Sequence, residues 1–184
     1  MMQELSLSIL DLAENSISAG ARLIVIRISE RADEDMLTIT LEDDGCGMDG
    51  TLLSQAASPF TTTRATRRIG LGIPMMKQGA ESCGGSFEIA SSPGVGTTLM
   101  ASFRLSHIDR PPMGDLAGTL LSLIIASPQG PDIALEYRVG DSAFEFDTRP
   151  VRAVMGEVPL TSPEVLEWIS GALKEGIDSL NGGA

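Results

Sequence analysis

Glu42-Asp43-Asp44-Gly45-Cys46-Gly47-Met48 reads as the end of a β-strand running into a glycine turn. Upstream, Met36–Glu42 alternates, with Met36, Thr38 and Thr40 on one face and Leu37, Ile39 and Leu41 on the other. Arg22–Glu30 alternates in the same way and sets Ile24, Ile26 and Ile28 against Leu23, Val25 and Arg27. The polar stretch Arg31–Asp35 between them predicts a hairpin. Further upstream, residues 3–19 carry Leu5, Ile9, Leu12, Ala13 and Ile17 on one arc at helical period, opposite Glu4, Ser8, Asp11, Asn15 and Ser18. Gly20 ends that helix. Downstream come a loop, a helix from Gly72 to Ser82, and strands Ser86–Ala90 and Thr97–Leu105 around the turn Pro93-Gly94-Val95-Gly96. The order α-β-β-α-β-β predicts an antiparallel sheet with helices on one face, an α+β fold.

The formal charge is −12, shared by both parts: 8 basic against 13 acidic side chains over residues 1–104, and 5 against 12 over 105–184. Such a surface repels phosphate backbones and anionic headgroups, which argues against nucleic acid and membrane as partners. The longest apolar run, Leu120–Ala126, is too short to span a bilayer, and the N-terminus lacks a signal-peptide pattern. Cys46 and Cys83 sit in different turns with no metal-like spacing. The expected location is the cytoplasm.

Three motifs carry the chemistry. Asp11 and Asn15 are four apart, so their side chains share one helix face. Asp43-Asp44-Gly45-Cys46-Gly47 is a D-x-G-x-G turn in which only Asp43 stands two before Gly45 and four before Gly47. Pro59-Phe60-Thr61-Thr62-Thr63-Arg64 leads to Ile69-Gly70-Leu71-Gly72-Ile73, a glycine turn opening a helix, and Gly94-Val95-Gly96-Thr97-Thr98 closes the set. Together, over residues 3–105, these resemble the ATP pocket of the gyrase, heat-shock chaperone, histidine kinase and MutL (GHKL) superfamily. The short lid is closest to the histidine-kinase-like branch.

The resemblance implies a two-layer α/β sandwich of the Bergerat type over residues 1–107, with ATP and Mg²⁺ as cofactors. Asn15 would ligate the ion on the phosphates, and Asp11, in place of the family's usual Glu, His or Asn, would polarise the attacking water or hydroxyl. Asp43 would accept from the adenine amine, which guanine lacks there. Gly45, Gly47, Met48, Phe60, Arg64, Gly70, Leu71, Gly72 and Thr97 complete the implied nucleotide contacts. Arg64, Arg67 and Arg68 form a basic cluster suited to phosphate. Arg68 stands where kinases often have the first glycine of G-x-G-x-G. His107 lies on no phosphoacceptor pattern.

Residues 108–184 resemble nothing named. Arg110-Pro111-Pro112 marks a boundary. Leu116–Ala126 predicts an apolar helix. Ile133–Val139 and Ser142–Thr148 form a hairpin through Gly140-Asp141, which pairs Leu135 with Phe146 and Tyr137 with Phe144. From Ser162-Pro163 a helix buries Val165, Ile169, Leu173, Ile177 and Trp168. The expectation is a small α-β-β-α appendage packed on itself, offering a surface to a protein partner or second subunit in a possible homodimer; the alternative is a cap on the first sheet. The functional expectation is a Mg-ATP-binding protein that phosphorylates or regulates a separate protein, in the manner of an anti-sigma or split histidine kinase. The alternatives are an ATP-gated switch with slow hydrolysis and a non-catalytic ATP-binding module.

Overall fold

The computed structural model describes residues 4–56 and 72–181. The first half holds helix α1 (Leu5–Ser18), strands β1 (Leu23–Arg31) and β2 (Met36–Asp43), helices α2 (Gly50–Ala56) and α3 (Gly72–Ser82), and strands β3 (Phe87–Ser92) and β4 (Gly96–Arg104). The second half holds α4 (Leu116–Ala126), β5 (Asp132–Val139), β6 (Ser142–Asp147), α5 (Thr148–Met155) and α6 (Pro163–Asn181). All six strands join one sheet in the order β3-β4-β2-β1-β5-β6.

The alternation in β1 and β2 puts Ile24, Ile26, Ile28, Leu37, Ile39 and Leu41 on the covered face, where Leu99, Ala101 and Phe103 of β4 join them. Helices α1, α3 and α6 pack on this sheet, and α4 bridges α1 and α6. On the other face Arg27 reaches Glu42 at 2.8 Å and Glu136 at 3.5 Å. The Glu42 bond, the largest influence, holds the Arg27 guanidinium above its usual range.

The C-terminal hairpin forms in the expected register, Leu135 with Phe146 and Tyr137 with Phe144. It does not pack only on itself. Strand β5 lies parallel to β1 from Leu23↔Asp132 to Glu30↔Val139, so the sheet is mixed and continuous. The physical reason is that a two-stranded hairpin is marginal alone, and β1 offers it a row of backbone partners. Tyr137 donates its hydroxyl to Glu30 across this junction, and burial, more than that bond, pushes its pKa above the ordinary phenol range.

Two expected side-chain placements are corrected. Ser8 is buried rather than solvent-facing, because α4 covers a second flank of α1. Trp168 is 58% exposed, whereas Val165, Ile169 and Leu173 are buried. The N-terminus of α1 has no side-chain cap; Leu5 and Ser6 donate their backbone N–H groups to the carbonyls of Pro112 (2.9 Å) and Met113 (2.8 Å). The stretch before α4 thus satisfies donors that a helix start leaves open.

Asp35, at the β1–β2 turn with φ 52°, accepts from Arg104 Nε at 2.9 Å, Ser106 N at 2.8 Å and Ser106 Oγ at 2.7 Å. These bonds, Arg104 foremost, lower its pKa from 3.8 to about 2. A lowered folded-state pKa gives stability that is present above the unfolded value and lost as pH falls through the folded one. Wild-type stability should therefore exceed that of Asp35→Asn above about pH 4, and the gap should close towards pH 2. Asn tolerates the left-handed backbone, so denaturant melts of the two across that window report the charge. A gap constant from pH 5 to pH 2 would refute the assignment.

Candidate functional site

At the end of the sheet nearest the C-terminus of α1, Asp43 of β2 and Thr97 of β4 are direct cross-strand partners. Asp43 follows the covered parity of Leu37, Ile39 and Leu41, so its carboxylate meets α1. Its Oδ2 accepts from the buried Ser16 hydroxyl at 2.6 Å, and its Oδ1 accepts from Gly45 N at 2.9 Å. Asp44 turns elsewhere. Its Oδ1 accepts from Arg22 N at 2.6 Å and Leu23 N at 2.9 Å, and these backbone bonds, that of Leu23 first, lower its pKa. The neighbouring carboxylates are thereby divided: Asp44 pins the start of β1, and Asp43 faces the helix layer.

The glycine turn is held on two sides. Cys46 N donates to Ala19 O at 2.9 Å, which ties the turn to the end of α1, and Gly94 N donates to Cys46 O at 2.8 Å. Gly47 has φ 66°, and a Cβ there would lie 2.0 Å from Ser92 O. Met48 N donates to Ser91 Oγ at 2.8 Å, and Ser91 Oγ stands 2.9 Å from Thr97 Oγ1. The turn, β3 and β4 therefore close one rim.

The opposite rim is α1. Asp11 is exposed and Asn15 half-buried, one turn apart on the same face. Gly72 at the start of α3 presses against Asp11, where an added Cβ would be 3.0 Å from Asp11 Cβ. Of the residues expected at the site, Asp11, Asn15, Asp43, Gly45, Gly47, Met48, Gly72 and Thr97 lie on elements that meet here. Phe60, Arg64, Gly70 and Leu71 lie outside the described residues, as do Arg67 and Arg68. Ser16 and Ser91 were not singled out by sequence; their signal was only position, one residue after Asn15 and six before Thr97. A separate shallow depression of about 550 Å³ is lined, among the described residues, by the uncharged Ile17, Ala21 and Ser127–Pro131.

Residues 3–107 match the family described as histidine kinase-, DNA gyrase B-, and HSP90-like ATPase. The chain belongs to this family of ATPase domains. The signal transduction histidine-protein kinase AtoS of Escherichia coli (strain K12) is 34% identical over 99 residues, 54% of this chain and 16% of that protein. A putative sensor protein of Shewanella frigidimarina (strain NCIMB 400) is 29% identical over 109 residues, 58% of this chain and 17% of that one. The chain thus spans less than a fifth of the length of these relatives. The crystal structure of the N-terminal domain of a DNA repair protein superposes with TM-score 0.52 at 13% identity, covering 78% of this chain and 51% of that one, which shows a shared fold. Among the described residues no helix is long and apolar enough to cross a membrane.

Proposed function

We propose that this chain binds Mg-ATP at the site between α1, the Asp43–Met48 turn, Thr97 and the start of α3, and uses it to phosphorylate or regulate a separate protein in the cytoplasm. The observation that carries the reading is the Asp43 carboxylate. Both its oxygens are already oriented by internal donors, and each keeps a lone pair for a ligand N–H. An acceptor fixed this way favours an amino-purine and disfavours a keto-purine, whose oxygen would leave it unpaired. Gly45 and Gly47 let the backbone turn tightly at this carboxylate.

Asp11 and Asn15 supply the phosphate end. Asn15 brings a neutral oxygen, and among the described residues no group of three or more His, Cys, Asp or Glu forms a cage for a metal. That donor set fits an Mg²⁺ ion that arrives on its phosphates and keeps several waters. The bound ion would neutralise phosphate charge. Asp11, exposed beside Gly72, is the carboxylate suited to take a proton from the attacking hydroxyl or water. Gly70, Leu71 and Gly72 would offer backbone N–H groups to phosphate, and Phe60, Arg64 and Met48 are the remaining nucleotide contacts that the family resemblance implies. Residues 108–184 would carry the surface for the partner or a second copy of the chain. One observation favours a second reading, an ATP-gated switch: the helix bearing Asp11 and Asn15 is held at its other end by Pro112 and Met113.

Calorimetry with ATP, ADP and GTP, with and without Mg²⁺, tests the reading. ATP and ADP should bind and GTP should not compete. Asp43→Asn should cost about 1–3 kcal/mol of affinity, because an amide donor replaces an acceptor. Asn15→Ala should remove the Mg²⁺ dependence. Asp11→Asn should leave binding intact and lower any turnover by about 10²-fold, the scale of a lost general base. Equal binding of GTP, or no thermal stabilisation at millimolar ATP, removes the nucleotide reading.

A further inference from the structure

Ser91 makes three contacts with one hydroxyl. It accepts from Met48 N at 2.8 Å, stands 2.9 Å from the carbonyl oxygen of Gly96, and stands 2.9 Å from Thr97 Oγ1. A serine hydroxyl carries a single proton, and a carbonyl oxygen carries none. In the bond to Gly96 O, Ser91 must therefore be the donor. Its proton spent there, the Ser91–Thr97 bond has only one remaining direction: Thr97 donates and Ser91 accepts. The Thr97 proton then points at Ser91, and the Thr97 oxygen is left with lone pairs alone. The cross-strand neighbour of Thr97 is Asp43, whose carboxylate also accepts only. The two strand ends present an acceptor pair with no donor in it.

We propose that Ser91 is a positioning residue for base specificity: by holding the Thr97 hydroxyl as an acceptor beside Asp43, it selects purine nucleotides with a 6-amino rather than a 6-keto group. The inference rests on the nucleotide reading above. A 6-amino group has two N–H bonds to offer two acceptors. A 6-keto oxygen meets lone pairs on both sides. Without the Ser91 hydroxyl, the Thr97 proton is free to rotate towards a keto oxygen, and one of the two rejecting contacts becomes an attracting one.

The experiment measures affinities of ATP and ITP for the full chain at fixed Mg²⁺ by calorimetry. Wild type should prefer ATP. Ser91→Ala should reduce the ATP-to-ITP ratio by at least about threefold, the scale of one hydrogen bond, whatever happens to the two affinities together. Ser91→Thr, which keeps the hydroxyl and suits a strand, should preserve the ratio. In a Thr97→Val background, Ser91→Ala should leave the ratio where Thr97→Val alone put it. A purely structural role for Ser91 weakens both nucleotides alike and leaves the ratio unmoved. That result, or a ratio change that persists without the Thr97 hydroxyl, overturns the proposal while the nucleotide reading stands. If wild type binds neither ATP nor ITP, the nucleotide reading has failed and the proposal fails with it. Should the alanine variant not fold, Ser91→Cys keeps the volume with only a weak acceptor for the Thr97 proton, and a smaller fall in the ratio in the same direction is expected.

Discussion

A fragment ending at Ser106 is expected to be insoluble, or to melt without cooperativity, and to show no stabilisation by ATP. The family match ends at residue 107, so a cut there keeps almost all of the matched segment. Packing argues against its independence. Removing residues 107–184 strips β5 from β1 along the register Leu23↔Asp132 to Glu30↔Val139, and an interior strand becomes an exposed apolar edge. It uncovers the flank of α1 that α4 covers, and takes away the Pro112 and Met113 carbonyls that satisfy the first N–H groups of that helix. The core is one cluster: Leu5, Ile9 and Ile26 belong with Leu116, Leu120, Leu135 and Ile169. At roughly 25 cal/mol per Å², each ~400 Å² of newly exposed apolar surface costs roughly 10 kcal/mol, comparable with the whole stability of a domain. Gel filtration, a thermal melt by circular dichroism and an ATP titration of the fragment check this. A soluble, cooperatively melting, ATP-binding fragment would mean that residues 108–184 contribute surface rather than core.

That expectation depends on a contact invisible in the sequence. The alternation of β1 and β2 declared their covered faces, because one face is apolar at period two. The hairpin of β5 and β6 was legible for the same reason, with Gly140-Asp141 setting its register. Parallel pairing of β5 with β1 leaves no such trace: it joins residues about a hundred positions apart, and neither strand's pattern names its neighbour. Ile133-Ala134-Leu135, buried as a continuous run, was the one hint that both faces of β5 are covered. Helices α2 and α5 were missed although each has an acid at its start. Asp49 accepts from Leu52 N and Asp147 from Arg149 N, both at 2.8 Å. Short helices carry too few turns for a period to register, and the cap alone has to announce them.

The candidate site divides in the same way. Residues with a fixed spacing, Asp11 to Asn15 and Asp43 to Gly47, were readable because helix and turn geometry convert spacing into direction. Asp43 was distinguishable from Asp44 by its distance to the glycines, whereas the bonding of Asp44 to the backbone of Arg22 and Leu23 was not, because those partners lie more than twenty residues away. Ser16 and Ser91 were not readable. Their partners lie 27 residues away at Asp43 and 43 away at Met48, so only the folded chain brings the groups together.

Gly47→Ala should abolish nucleotide binding and lower stability by roughly 3 kcal/mol or more, while Gly94→Ala should do neither to that degree. Both glycines have left-handed backbones, φ 66° and φ 74°, so each alanine pays about 1–2 kcal/mol of backbone strain. Space separates them. An added Cβ at Gly94 meets nothing within 4 Å, whereas at Gly47 it lies 2.0 Å from the carbonyl oxygen of Ser92. That oxygen belongs to the backbone of the last residue of β3 and cannot swing aside as a side chain would. Relief requires the Gly45–Met48 stretch to move away from β3, which stretches the Met48–Ser91 bond and carries Gly45 away from Asp43, held at the end of β2. The overpacking cost of roughly 1–3 kcal/mol adds to the strain, and the displaced turn no longer holds Asp43 as an oriented acceptor. Chemical denaturation of the two variants with wild type, followed by ATP titration, separates the contributions. Equal losses at the two positions would mean that backbone strain alone is responsible, and that the close approach of the Gly47 turn to Ser92 has no part in shaping the site.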